Sequence, residues 1–265
     1  MALGLTLLFG MMHIVNFAHG ELLMLGAFCL YYLDVPLGMN YFLAFVFTLV
    51  VLFVFGILLE RIIFRPITGQ VRPQIVASLG VSLVLMNLGY VAFGLKSKSV
   101  PSVIPGVTQI FGGFIAKERL MAMAFSLILV GVLYVVLHKT KVGRAIRAVQ
   151  QNPEAAALQG VNIDRINALG WGLAAALAAA GGALLAPLFS VHPAMGYRPA
   201  SLAFIIVIVG GLGSIPGALC GALIIGLVES LVGTLLGSEF AWGSIFLLAI
   251  LMIIFRPQGL FKGYV

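Results

Sequence analysis

The chain has 265 residues, of which 62% are hydrophobic and 9% charged, with a mean hydropathy of +1.17. Soluble domains carry about a quarter of their residues charged, so a soluble globular protein is excluded. Long continuous apolar runs exclude a β-barrel as well, and the formal net charge of +7 reads as basic loops at one membrane face, not as nucleic-acid binding.

The expected fold class is an all-α polytopic membrane protein. A span needs about 20 apolar residues. In chain order, spans are predicted at 2–15, 19–33, 41–59, 75–94, 120–138, 166–189, 200–213, 217–236 and 242–255. The first, seventh and last are short, giving about eight crossings with broken or re-entrant segments. The whole chain, 1–265, reads as one transmembrane domain. The N-terminus starts directly in an apolar run with no basic flank, so no cleavable signal is evident. Cys29 and Cys220 both lie in apolar runs, and there is no Cys-x-x-Cys or His/Cys cluster of metal spacing. No metal or cofactor is expected.

Orientation follows from the basic residues. If crossings alternate and 139–165 is inside, Arg61, Arg65, Arg72, Lys139, Lys141, Arg144, Arg147, Arg165, Arg256 and Lys262 are inside. Lys96, Lys98, Lys117, Arg119 and Arg198 are outside. This bias places the loop 139–165 and the C-terminus in the cytoplasm.

Two polar or glycine-rich breaks interrupt apolar sequence. One is Asn16-Phe17-Ala18-His19-Gly20-Glu21, the other Gly210-Gly211-Leu212-Gly213-Ser214-Ile215-Pro216-Gly217-Ala218. Backbone freed at membrane depth must be buried in protein or line a cavity, and such breaks in two halves point to a transport pathway. The same segments also read as ordinary turns. The pathway candidates are Asn16, Phe17, His19, Gly20, Glu21, Asn87, Gly213, Ser214, Pro216 and Glu229. Charges inside spans are functional candidates, but Glu229, His19 and Glu21 equally suit hydrogen bonds between helices. Asn87 also reads as interhelical glue. Glu60, Arg61 and Arg65 read as a cytoplasmic boundary that could also meet a partner. The Gly182 stripe with Ala178 and Ala186 reads as helix packing.

The longest polar interruption is 139–165. Gly143 to Gln151 forms two helical turns, with Arg144, Arg147 and Gln151 on one face and Ile146 and Val149 on another. Asn152 suits an N-cap, Pro153 the first helical position and Glu154 the positive helix end. Ala155, Ala156 and Ala157 are strong helix formers, and Gly160 is a natural stop. A short alanine-faced helix suits a groove on another protein. A helix lying on lipid would carry bulky apolar side chains.

Glu154-Ala155-Ala156 followed by Gly160 resembles the coupling loop of ABC importer permeases. Asn16 to Glu21, Gly211 to Ala218, Val142-Gly143-Arg144-Ala145 and Arg256-Pro257-Gln258-Gly259-Leu260-Phe261 resemble segments of branched-chain amino-acid ABC transporter permeases. The resemblance covers essentially the whole chain. The Ser214-Ile215-Pro216-Gly217-Ala218 form with Glu229 downstream is similar to the H-type partner. Members of the family usually carry about one more helix of sequence before the position of Leu3, so the resemblance implies either a late start or a truncated N-terminus for this chain.

The resemblance implies a bacterial or archaeal plasma-membrane (inner-membrane) importer. Its expected partners are a second, M-type permease subunit, two cytoplasmic ATPases and an extracytoplasmic substrate-binding protein, all working in a lipid bilayer. Gly143, Arg144, Arg147, Glu154, Ala155, Ala156 and Gly160 are the implied ATPase-coupling residues. Hydrolysis falls to the partners, since the chain has no Gly-x-x-x-x-Gly-Lys-Ser/Thr loop. The implied substrates are branched-chain amino acids, with urea or short amides as the alternative. An ion-coupled carrier using His19, Glu21 and Glu229 would leave the coupling helix unexplained. An intramembrane protease would need His19 near Ser78 or Ser214.

Overall fold

A computed structural model describes residues 1–12, 16–110 and 112–261. The end of the first predicted span (13–15) and Lys262 fall outside the described residues. In chain order the elements are α1 (Ala2–Met12), α2 (His19–Asp34), α3 (Tyr41–Leu59), α4 (Val71–Phe93), β1 (Val107–Ile110), β2 (Gly113–Ala116), α5 (Lys117–Lys139), α6 (Lys141–Gln151), α7 (Pro153–Leu158), α8 (Ile163–Leu185), α9 (Tyr197–Gly210), α10 (Ile215–Leu235) and α11 (Ser238–Phe255).

Six of the described helical segments are long and apolar enough to cross a membrane: α3 with its extension to Ile67, α4, α5, α8, α10 and α11. The expected count of about eight is therefore not confirmed. α1 and α9 are apolar but short, and at 1.5 Å rise per residue each covers only about half to two-thirds of a ~30 Å layer. The loop between α4 and α5 also departs from a purely helical fold. It contains an antiparallel hairpin of β1 and β2, with Val107 opposite Ala116 and Ile110 opposite Gly113. Four-residue strands leave no mark on a pattern read at span length.

α8 is the hub. Two-thirds of its most apolar stretch is buried, against 11–33% in the other five long spans. Its alanines and glycines allow neighbours to approach on several sides, which is how helices associate where no water drives them together. Ala174, Ala175, Ala178 and Ala179 pack with Leu8 of α1, Leu22 of α2 and Leu52 of α3. Farther along, Ala180 and Ala183 pack with Phe28 of α2 and Phe45 of α3. Trp171 stacks on Phe64 at 4.1 Å between ring centres and donates Nε1–H to Met12 Sδ at 3.1 Å. The Gly182 stripe is thus packing: a Cβ there would strike the Leu23 carbonyl and the Ala27 nitrogen of α2.

α9 and α10 form an antiparallel hairpin about the second break. Gly210 meets Gly217 backbone to backbone, and Gly221 lies against the Ile206 carbonyl. Gly211 takes φ +107°, a conformation that only glycine adopts readily. The C-terminal segment then closes the end of α9. Leu260 and Phe261 donate their N–H groups to the carbonyls of Val209 (2.9 Å) and Gly210 (3.1 Å), satisfying helix-end acceptors that would otherwise lack partners.

Gly182→Ala is expected to destabilise the protein by about 1–3 kcal/mol through forced separation of α2 and α8. Gly181→Ala meets only ordinary contacts and should be neutral or stabilising by up to ~1 kcal/mol from helix propensity. Thermal unfolding of the two variants in detergent checks this difference.

Candidate functional site: a coupling hairpin and two helix breaks

The loop 139–165 folds as the local signals dictate. Thr140 Oγ1 accepts from Gly143 N (3.0 Å) to cap α6. Asn152 Oδ1 accepts from Ala155 N (2.9 Å) to cap α7, with Pro153 at its first turn. Asn162 Oδ1 accepts from Arg165 N (2.9 Å) to cap α8. α7 ends on Gly160 at φ +80°, and Val161 N bonds back to Ala156 O at 3.1 Å, the closure that a left-handed glycine permits. The result is a helical hairpin with a fixed corner.

Burial separates a base from a tip. Ile146, Val149 and Ala156 are buried with Leu7 and Met11 of α1, Leu133 and Leu137 of α5, and Ile166 of α8. Arg144, Glu154, Ala155 and Gly160 face outward, and Arg147 is half-buried. Two expected coupling residues point inward instead. Gly143 is buried against the carbonyls of Val136 and Leu137, where α6 closely approaches α5. Ala156 anchors the base. The tip also carries a residue that sequence reasoning missed: Leu158 is 87% exposed. An additional leucine carries no signal in so apolar a chain until its exposure is known.

The hairpin base is tied into the bundle. Glu60 lies in a π-helical turn (Glu60–Phe64) that continues α3 and is 1% exposed. Arg65 reaches it through Nη2 at 3.0 Å and Nε at 3.3 Å, and also donates Nη2–H to the Asp164 carbonyl at the start of α8 (3.3 Å). Glu60 and Arg65 therefore join two helices instead of forming a free boundary; Arg61 is exposed.

At the first break, Asn16 Oδ1 accepts from Ala18 N (3.0 Å), and α2 begins at His19. His19 is fully buried and donates Nε2–H to the Met1 carbonyl at 3.2 Å. Asn16 Nδ2, His19 Nδ1 and Glu21 Oε2 are buried with no hydrogen-bond partner among the described residues. Gly20 lies against the Gly196 carbonyl. Phe17 faces Phe204 of α9 at 5.4 Å. With Leu5, Tyr197 and Ser201 it lines an apolar cavity of about 470 Å³.

At the second break, Ser214 Oγ accepts from Gly217 N (3.1 Å) and caps α10, with Pro216 in its first turn. Gly213 lies against Gly10 of α1, and Gly10 also lies under the Gln150 side chain of α6. The second break and the α6–α7 hairpin thus meet on either side of one glycine. The first break joins α9 at its opposite end.

Glu229 is elsewhere: its carboxylate pairs with Arg198 at 2.9 Å. Asn87 is exposed and donates to the Leu83 carbonyl of its own helix (2.7 Å), apart from both breaks. Ser78 bonds to the Ile75 carbonyl. Neither serine is shown paired with His19, and Glu229 does not join His19 and Glu21 in a relay.

The sequence profile described as "Branched-chain amino acid transport system / permease component" matches residues 1–255. The chain belongs to this family. It is 31% identical to the high-affinity branched-chain amino acid permease BraD of Pseudomonas aeruginosa, over 98% of this chain and 89% of that one. It is 30% identical to LivH of Escherichia coli K12 over the same shares. Against a probable LivH of Methanocaldococcus jannaschii it is 31% identical over 98% of this chain and 87% of the relative. These relatives are named as transport permeases, not enzymes, and with the six spans they make this a multi-pass membrane transport protein. No solved structure matches the chain.

Arg65→Met leaves the buried Glu60 carboxylate without its partner. It is expected to cost about 3 kcal/mol, more than Arg61→Met at the exposed neighbour. Denaturant or thermal unfolding of the membrane-extracted variants measures the gap.

Proposed function

We propose that this chain is an H-type permease subunit of an ATP-driven importer of branched-chain amino acids. It pairs with an M-type permease subunit, engages cytoplasmic ATPases through α6 and α7, and receives ligand from an extracytoplasmic binding protein. The observation that carries the reading is the hairpin itself: a capped helix with an outward tip of Glu154, Ala155 and Leu158, on a base buried among three other helices. Leu158 fits an apolar slot, the alanine lets the partner's backbone come close, and Arg144 and Arg147 suit an acidic rim. In this orientation the α6–α7 end and the C-terminal segment face the cytoplasm of a bacterial or archaeal cell.

Because its base is packed, the hairpin moves with α1, α5 and α8 and not as a loose loop. Closure of the ATPases on nucleotide displaces this unit, and the contact of Gly10 with Gln150 and Gly213 extends the push to the α9–α10 turn. The two breaks, with Asn16, Phe17, His19, Gly20, Glu21, Gly213, Ser214 and Pro216, adjoin the pathway that opens alternately to either side. The names of relatives matching 98% of the chain favour branched-chain amino acids over urea or short amides.

Leu158→Asp and Glu154→Lys should leave the protein in the membrane at normal levels. Both should lose co-purifying ATPase and lower leucine uptake at least about ten-fold, the equivalent of ~1.4 kcal/mol of coupling. Gly160→Leu, forced into a left-handed conformation, should do the same. Unchanged uptake in all three would exclude the hairpin as the coupling element.

A further inference from the structure

At the end of α8 remote from the coupling hairpin lies a cavity of about 520 Å³, within the size range of small-molecule sites. Leu185, Phe189, Met195 and Leu202 give it apolar walls, and Arg198 and Glu229 give it two opposite charges.

The charges meet because of the hairpin register. Arg198 lies twelve residues before Gly210 and Glu229 twelve after Gly217, so the glycine contact at the turn aligns them. At 1.5 Å per residue they stand about 18 Å from that contact, toward the opposite ends of α9 and α10. Their side chains remain 58% and 32% exposed. Ionisable side chains on membrane-spanning helices such as α10 tend to pair and to line water-filled cavities. Arg198 is held from a second side by the Trp242 ring, 5.0 Å from the guanidinium carbon.

Only one contact joins the pair, Arg198 Nη2 to Glu229 Oε1. The guanidinium keeps further N–H donors, which suit a carboxylate, and Glu229 keeps a second oxygen, which suits an ammonium. The geometry points to a clasp for a zwitterion: Arg198 receives the α-carboxylate and Glu229 the α-ammonium of an amino acid whose apolar side chain lies on Leu185, Phe189, Met195 and Leu202. This rests on the permease reading and assigns the end of the pathway remote from the hairpin.

The test uses Ser190, which lines the same cavity. Ser190→Cys is made in a Cys29→Ser, Cys220→Ser background, in the full chain with its partners in cell membranes. Millimolar leucine should slow labelling by an impermeant thiosulfonate several-fold. Isoamylamine, which lacks the carboxylate, and 4-methylpentanoate, which lacks the ammonium, should not. Protection should disappear in Arg198→Met and Glu229→Gln, and stay absent in the charge-swapped Arg198→Glu, Glu229→Arg double variant. The swap keeps the ion pair but reverses the clasp. Labelling indifferent to leucine, equal protection by the amine or acid, or protection restored by the swap would each overturn the assignment; the last would leave a structural ion pair only. If the single variants fail to accumulate, the comparison of leucine with its two analogues in the parent decides alone. Labelling needs no bound ATPase. Failure of the hairpin variants with protection intact would therefore count against the importer reading and not against the clasp.

Discussion

Backbone contact across small residues is the constraint on which this structure depends. In lipid there is no hydrophobic gain in bringing two apolar helices together, so close packing and satisfied backbone groups must hold them. α8 meets this demand with alanines and with Gly182 pressed on α2. Gly20 against Gly196, and Gly210 against Gly217, do the same at the ends of α9. Each contact fixes a spacing that no side chain could fill, and so fixes the register of everything farther along the helices. The Arg198–Glu229 pair, some 18 Å away, is a consequence of one such contact.

The two short helices acquire a purpose in this setting. α9 ends against the start of α10, and its free backbone groups need partners there. The tail supplies them for α9 through Leu260 and Phe261. The Arg256–Phe261 segment, besides its basic Arg256, therefore also closes a helix end. The same turn touches Gly10, and Gly10 touches Gln150. The part of the molecule that faces an ATPase in the proposed importer is thus in direct contact with the part that breaks the membrane-embedded helices. The Glu60–Arg65–Asp164 tie stiffens the same end by joining α3 to α8.

The sequence by itself determined the class, most helices and the form of the hairpin. Apolar runs of membrane length fix α3, α5 and α8 to within one turn. Asn152, Pro153 and Gly160 specify α7 because capping and left-handed stops act over four or five residues. The breaks at Asn16–Glu21 and Gly210–Ala218 were legible for the same reason. Tertiary structure alone decided which residues these elements present. The packing of Gly143 on α5 and the exposure of Leu158 are not written in the local sequence. Arg198 counted only as an outer basic residue, because its partner lies thirty-one positions away and is brought there by a glycine crossing. Caps and lengths are written locally in the chain; burial, exposure and charge pairing depend on helix contacts whose spacing is set far from the residues they align.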